Sequence, residues 1–156
     1  EIDNLATFLL EFRYGLPNHA HILHDAGYVV GLSKFLLHEV GIIPKEQFVT
    51  DGTPEKYQEA IRADLRSTSD KREIPLYFEP DAGKAQEFLR KIHHSGRGLI
   101  IGSGWDKVLA KEKGYDFLSA AIPSPYRLVL TTHYAGFTGG LRVIEDIYHL
   151  VLSTYA

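Results

Sequence analysis

The chain has 156 residues, 44% hydrophobic and 24% charged, with a net charge of -3 at neutral pH. This composition suits one globular domain that buries roughly two thirds of the surface its unfolded chain would expose, and the charge lacks the electrostatic footprint of a nucleic-acid or anionic-membrane partner. No run of roughly 18 apolar residues is present to span a bilayer and no charged start with an apolar signal core opens the sequence, so no membrane association and a cytoplasmic location are expected.

Cysteine is absent, which removes disulfides, thiolate nucleophiles and cysteine-ligated clusters; a metal would have to use His, Asp or Glu. Methionine is absent even at position 1. A start at Glu1-Ile2-Asp3 leads to the expectation that the chain is a piece of something longer.

Ile2, Leu5, Ala6, Leu9 and Leu10 recur at helical spacing, predicting an amphipathic helix over about 2–13. His19 to His24 predicts a short strand, Asp25-Ala26-Gly27 a turn, and Tyr28 to Val40 a helix ended by Gly41. Pro44 restarts an extended segment through Thr50, and Thr53 before Pro54 predicts a capped helix running to about Leu65. Residues 67–72 read as a surface loop, Ile74 to Phe78 as a strand, and Asp81 as the cap of a helix to about Ile92.

Gly98 to Gly102 is a fully apolar run breaking into the small-residue turn Gly102-Ser103-Gly104, as expected of a buried parallel strand feeding a helix, here to about Lys113. Gly114 stops that helix and Tyr115 to Ser119 reads as another strand. Ala121 to Ala135 reads as a long loop, and Gly136 to Gly140 leads into a closing helix over Leu141 to Leu152. About five strands alternating with helices predict an α/β fold: a Rossmann-like, three-layer domain with a mostly parallel sheet flanked by helices.

In open parallel sheets ligands sit at the carboxyl edge, which directs attention to the turns. Gly102-Ser103-Gly104 has two readings: backbone N–H groups cradling an anion at a helix N-terminus, or Ser103 capping the helix with Asp106 three residues on, a capping-box variant. A lone Gly-x-Gly favours the second. His19-x-His21-x-x-His24 has metal-ligand residue types, yet same-face positions on a strand lie about 7 Å apart, which is poor geometry for one ion, and no metal ligand is assigned. His93-His94 read as a helix terminus interacting with its dipole. Trp105 reads as pocket lining or packing, and His133 with Arg127 as loop residues near a cleft, without a partner carboxylate.

Taken together these blocks resemble a known family. The run His24-Asp-Ala-Gly-Tyr-Val-Val-Gly-Leu-Ser-Lys-Phe-Leu-Leu37 followed by Glu39-Val-Gly-Ile-Ile-Pro44 is similar to the strand-turn-helix that opens the last domain of nitrogenase component 1 subunits. Leu99-Ile-Ile-Gly-Ser-Gly-Trp-Asp-Lys-Val108 resembles that domain's glycine turn, and Ile122-Pro-Ser-Pro-Tyr-Arg127 with Tyr134-Ala-Gly-Phe-Thr-Gly-Gly-Leu141 its closing loop and helix. The resemblance implies a single domain over 1–156 forming the C-terminal third of an oxidoreductase subunit. Such subunits pair as α and β, hold iron–sulfur clusters and accept electrons from an ATP-driven iron protein.

On this resemblance His24, Asp25, Gly27, Gly102, Ser103, Gly104, Trp105, Asp106, Arg127 and His133 face an interdomain cleft. Ala121 stands where the cofactor-bearing subunit has its ligating histidine, so the chain is more similar to the β-type subunit, with no cofactor held by this piece and no activity expected of it alone. Dinitrogen fixation, tetrapyrrole reduction and cofactor assembly all remain open as the reaction. The competing readings are a stand-alone anion- or metal-binding module and a purely structural assembly domain.

Overall fold

The computed structural model describes residues 14–67, 73–126 and 133–155; the helix expected over 2–13 and the candidate Arg127 lie outside them. The described chain runs β1 (His19–His24), α1 (Ala26–Phe35), β2 (Ile43–Pro44), β3 (Gln47–Val49), α2 (Glu55–Arg66), β4 (Leu76–Phe78), α3 (Ala82–Lys91), β5 (Gly98–Gly102), α4 (Lys107–Lys113), β6 (Asp116–Ser119) and α5 (Gly136–Ser153).

Every pairing is parallel, in the order β4-β3-β1-β5-β6, with the two-residue β2 beside the start of β1. The chain fills one side of β1 first, through β3 and β4, and then crosses to the other with β5 and β6. The carboxyl ends of β1 and β5 therefore diverge at the topological switch point, where such sheets open a crevice.

The alternation along β1 builds the layers. Ala20 and Ile22 point to the face covered by α1, α2 and α5, where Val29, Leu32, Leu65, Val143 and Ile147 join them in one buried cluster. Leu23 points to the other face, packing with Phe48, Ala85, Leu89, Ile100 and Leu109 under α3 and α4. β5 is buried along its whole length and supplies both faces, as an apolar run in a parallel sheet should.

Several local expectations change. Asp25-Ala26-Gly27 is the start of α1 rather than a separate turn: Asp25 is the N-cap and its carboxylate accepts the Tyr28 N–H at 3.0 Å. α1 then loosens into a π-helical turn, Leu36–Val40, before Gly41 ends it at φ 80°. Thr53 does not cap α2, which has no side-chain cap; its N–H and hydroxyl both bond Asp51 instead. Residues 136–140 belong to α5 itself rather than leading into it, and two of their glycines serve close packing: a Cβ on Gly139 would lie 2.5 Å from the Tyr134 backbone and one on Gly140 3.1 Å from the Phe35 ring. Among the described residues no helix is long and apolar enough to cross a membrane.

Candidate functional site

The carboxyl edge brings together the turns after β1, β5 and β6. His24 ends β1 and reaches past β5: its Nε2 lies 3.3 Å from the carbonyl oxygen of Ala120, which follows β6. Its Nδ1 lies 2.8 Å from the Asp25 amide nitrogen and 2.8 Å from the Asp25 carboxylate, and its ring stacks on Tyr28 with centroids 4.3 Å apart. The Ala120 and Ala121 N–H groups both donate to the carbonyl of Gly102, at 2.9 and 3.0 Å. Three strand ends are thus laced together by main-chain groups and one imidazole.

The glycine turn settles which of its two readings holds. Asp106 is 2% exposed and folds back, its Oδ2 accepting the Ser103 N–H at 2.8 Å and the Ser103 hydroxyl at 2.9 Å, while Gln86 donates to Oδ1 at 2.8 Å. The Gly104 N–H donates to the Pro123 carbonyl at 2.6 Å. Both amides that would greet an anion are used internally, and the capping box is what the turn builds. The glycines serve packing: a Cβ at Gly102 would lie 2.5 Å from Asp106 Oδ2, and one at Gly104 2.3 Å from the Pro125 ring.

The N-terminus of α1 is also occupied, with Asp25 on the Tyr28 N–H and Asp51 on the Ala26 N–H. Burial opposes the Asp51 charge, but the hydrogen bonds from Thr53 and from the Ala26 N–H hold its carboxyl below the usual value. An added anion there would meet two carboxylates.

Ser103, Gly104 and Asp106 are therefore buried at this edge, whereas Trp105 between them is 66% exposed, neither core nor covered by the described residues. Gly27 is exposed on the first turn of α1. His133 is drawn into a local contact, donating from Nδ1 to the Ala135 carbonyl at 3.0 Å. Between the starts of α1 and α5 lies an apolar cavity of about 490 Å³ walled by Asp25, Tyr28, Phe35, Tyr134 and Val143.

An iron–sulfur cluster does not fit the donors of this edge. The chain has no cysteine, the imidazole of His24, only 12% exposed, spends both nitrogens on neighbouring groups, and Asp106 is turned inward.

A second constellation sits at the opposite, amino end of the sheet and is only half visible in the sequence. His19 and His21 share one face of β1, as the alternation predicts, and both are buried; His24 lies on the other face and does not join them. They are met by Glu46, from the turn before β3, and His94, after α3. His94 Nε2 lies 2.8 Å from Glu46 Oε2, so His94 is not a helix-dipole partner, and His21 Nδ1 lies 3.4 Å from the same oxygen and 3.2 Å from the Glu46 carbonyl. Burial, reinforced by His94 and Lys45, holds His19 down to about 4; burial also takes His21 to about 4, outweighing the hydrogen bond and charge of Glu46. Burial works against the Glu46 charge too, yet the hydrogen bond from His94 holds its carboxyl below the usual value.

Comparison with known proteins bears on what this architecture belongs to. A solved structure described as "Nitrogenase Cp1 at pH 6.5" superposes with a TM-score of 0.74 over 98% of this chain at 24% identity, and this chain spans 32% of that one's length; the likeness establishes a shared fold. No curated protein matches significantly. The model of the family "Nitrogenase component 1 type Oxidoreductase" matches residues 15–152. With nearly the whole described chain inside that match, and the parallel sheet and capped glycine turn in place, the chain belongs to the nitrogenase component 1 type oxidoreductase family.

Proposed function

We propose that residues 1–156 act as the C-terminal domain of an iron–sulfur-dependent reductase subunit, β-like rather than cofactor-bearing, that forms one wall of an interdomain cleft and contacts a homologous partner subunit. In this reading the subunit pair accepts electrons from an ATP-driven iron protein, and the redox groups are held by other domains, since the donors of this one do not suit them. The reaction class, whether dinitrogen, tetrapyrrole or cofactor-assembly chemistry, is set by those other domains.

The observation that carries the reading is the apolar rim of the carboxyl edge. Trp105 is 66% exposed, Ile122 94% and Phe137 86%, on the segments that follow β5 and β6 and open α5. Large apolar side chains exposed on several turns of one sheet edge mark a surface that another domain or subunit covers. A chain that spans about a third of its solved relative's length supports that reading.

The test uses the complete protein in which this chain occurs. It should purify with an iron–sulfur chromophore and turn over only with a reducing iron protein and ATP. Purification free of any cluster, with no coupling to an iron protein, would overturn the proposal.

A further inference from the structure

The amino end of the sheet carries the chemistry of a site that the cleft-wall role leaves unused. His21, Glu46 and His94 each offer one ligand atom within 4.8 Å of the others, and the closest pairs, 2.8 and 3.4 Å, bracket the ~3.3 Å spacing between donors on a tetrahedral ion with bonds near 2.0 Å. We propose that His21, Glu46 and His94 bind one divalent transition-metal ion of the zinc type, pinning β1, the turn before β3 and the segment after α3 at the sheet's amino end.

Four features of the site support the assignment. The first is donor identity: two imidazoles and a carboxylate suit zinc, cobalt or nickel, and not calcium or magnesium. The second is convergence: His21 Nδ1 and His94 Nε2, from segments far apart in the chain, both face Glu46 Oε2, at 3.4 and 2.8 Å. The third is burial: the His21, Glu46 and His94 side chains are 1%, 13% and 22% exposed, so the three donors are held inside the fold rather than on its surface.

The fourth is construction. A Cβ at Gly98 would lie 2.6 Å from the Tyr115 ring, so the absence of a side chain there lets Tyr115 back the cluster, with centroids 5.1 Å from His19 and 6.1 Å from His21. An entry path is present as well. A cavity of about 350 Å³ bordered by Asn18, His19, Lys45 and His94 opens on one side, and another of about 340 Å³ reaches Glu46 and His94 from the other.

The experiment is equilibrium dialysis of the complete protein, stripped with a chelator, against buffered Zn²⁺, with metal analysis of wild type, His94→Ala, Glu46→Gln and His93→Ala. His93 is exposed and adjacent in sequence, which makes it the control. Wild type and His93→Ala should hold one zinc equivalent per chain more than the other two, whose affinity for that equivalent should fall at least tenfold. Glu46→Gln keeps the shape of the site, so it decides the matter should His94→Ala not fold. Equal zinc content in wild type and Glu46→Gln, or a loss confined to His93→Ala, would overturn the site. Iron–sulfur content, measured on the same preparations before the chelator is added, reports separately on the cleft-wall proposal.

Discussion

The side-chain amide oxygen of Gln47 accepts the Ile22 N–H at 2.9 Å, and its nitrogen donates to the carbonyl of Ala20 at 2.9 Å. β1 pairs with β2 at His19 and Ala20 and with β3 only from Leu23 onward, so the ladder has a gap between them. Gln47, 0% exposed, fills it and keeps the central strand continuously hydrogen-bonded. Replacing it with leucine keeps the volume and strands the buried Ile22 N–H, while the Ala20 carbonyl keeps the Lys45 N–H at 2.9 Å. Gln47→Leu should cost about 1–3 kcal/mol, read as a lower urea midpoint at unchanged slope.

Asp106 makes a sharper test of the glycine turn, because its carboxylate serves Ser103 and Gln86 and faces no solvent. Asp106→Ala leaves the Ser103 N–H and hydroxyl unpaired and should destabilise by about 2–3 kcal/mol. Thermal melts should show the loss with or without added phosphate. Stabilisation of the wild type by phosphate that disappears in Asp106→Ala would restore the anion-cradle reading.

Gly104→Ala addresses the same turn through space rather than charge. Its Cβ would meet the Pro125 ring at 2.3 Å and the Pro123 carbonyl at 3.0 Å, so the loop after β6 must back away and release the 2.6 Å bond from the Gly104 N–H. About 1–3 kcal/mol of destabilisation is expected, with increased proteolysis between Ala121 and Tyr126 as the local signature.

The strand-turn-helix grammar is legible in the sequence because a parallel sheet buries both faces of its strands. Leu99, Ile100 and Ile101 can be nothing else, and Ser103 with Asp106 spells its own cap. The start of α1 is hidden because Asp25-Ala26-Gly27 has turn composition; only the N–H groups that Asp25 and Asp51 capture make it a helix terminus. The histidine cluster is half legible. Alternation puts His19 and His21 on one face, but Glu46 and His94 reach them from segments far along the chain, and sequence distance hides such partners. Trp105 has the composition of a packing residue, and its exposure depends on what covers the edge, which no local pattern encodes.

The buried imidazoles set a pH dependence for the metal-free protein. His19 and His21 titrate near 6.5 in the unfolded chain and about 4 in the fold, so between those values the unfolded state binds more protons. Their contribution is fully present above 6.5 and is lost as pH falls toward 4, by up to about 1 kcal/mol per pH unit for each. His94, Glu46, Lys45, Lys113 and Tyr115 surround them, and Glu46, held below its usual value, adds its own loss only at the acid end. Urea midpoints measured from pH 7 to 4 should fall across this window, and His21→Leu should flatten the slope.

Trp105 separates the cleft wall from the fold. At 66% exposure between two buried neighbours, its side chain contributes little to the domain it sits on, and Trp105→Ala should change stability by no more than about 0.5 kcal/mol. If another domain or subunit covers it, the same substitution removes a large apolar anchor from that interface, where such residues typically contribute about 2 kcal/mol or more. The complete protein carrying Trp105→Ala should therefore keep the melting temperature of its C-terminal domain while its subunits dissociate at higher protein concentration, or its interdomain contact opens to protease. Unchanged assembly together with unchanged protease resistance would mean that this edge faces water in the working protein, and the cleft-wall role would fall with it.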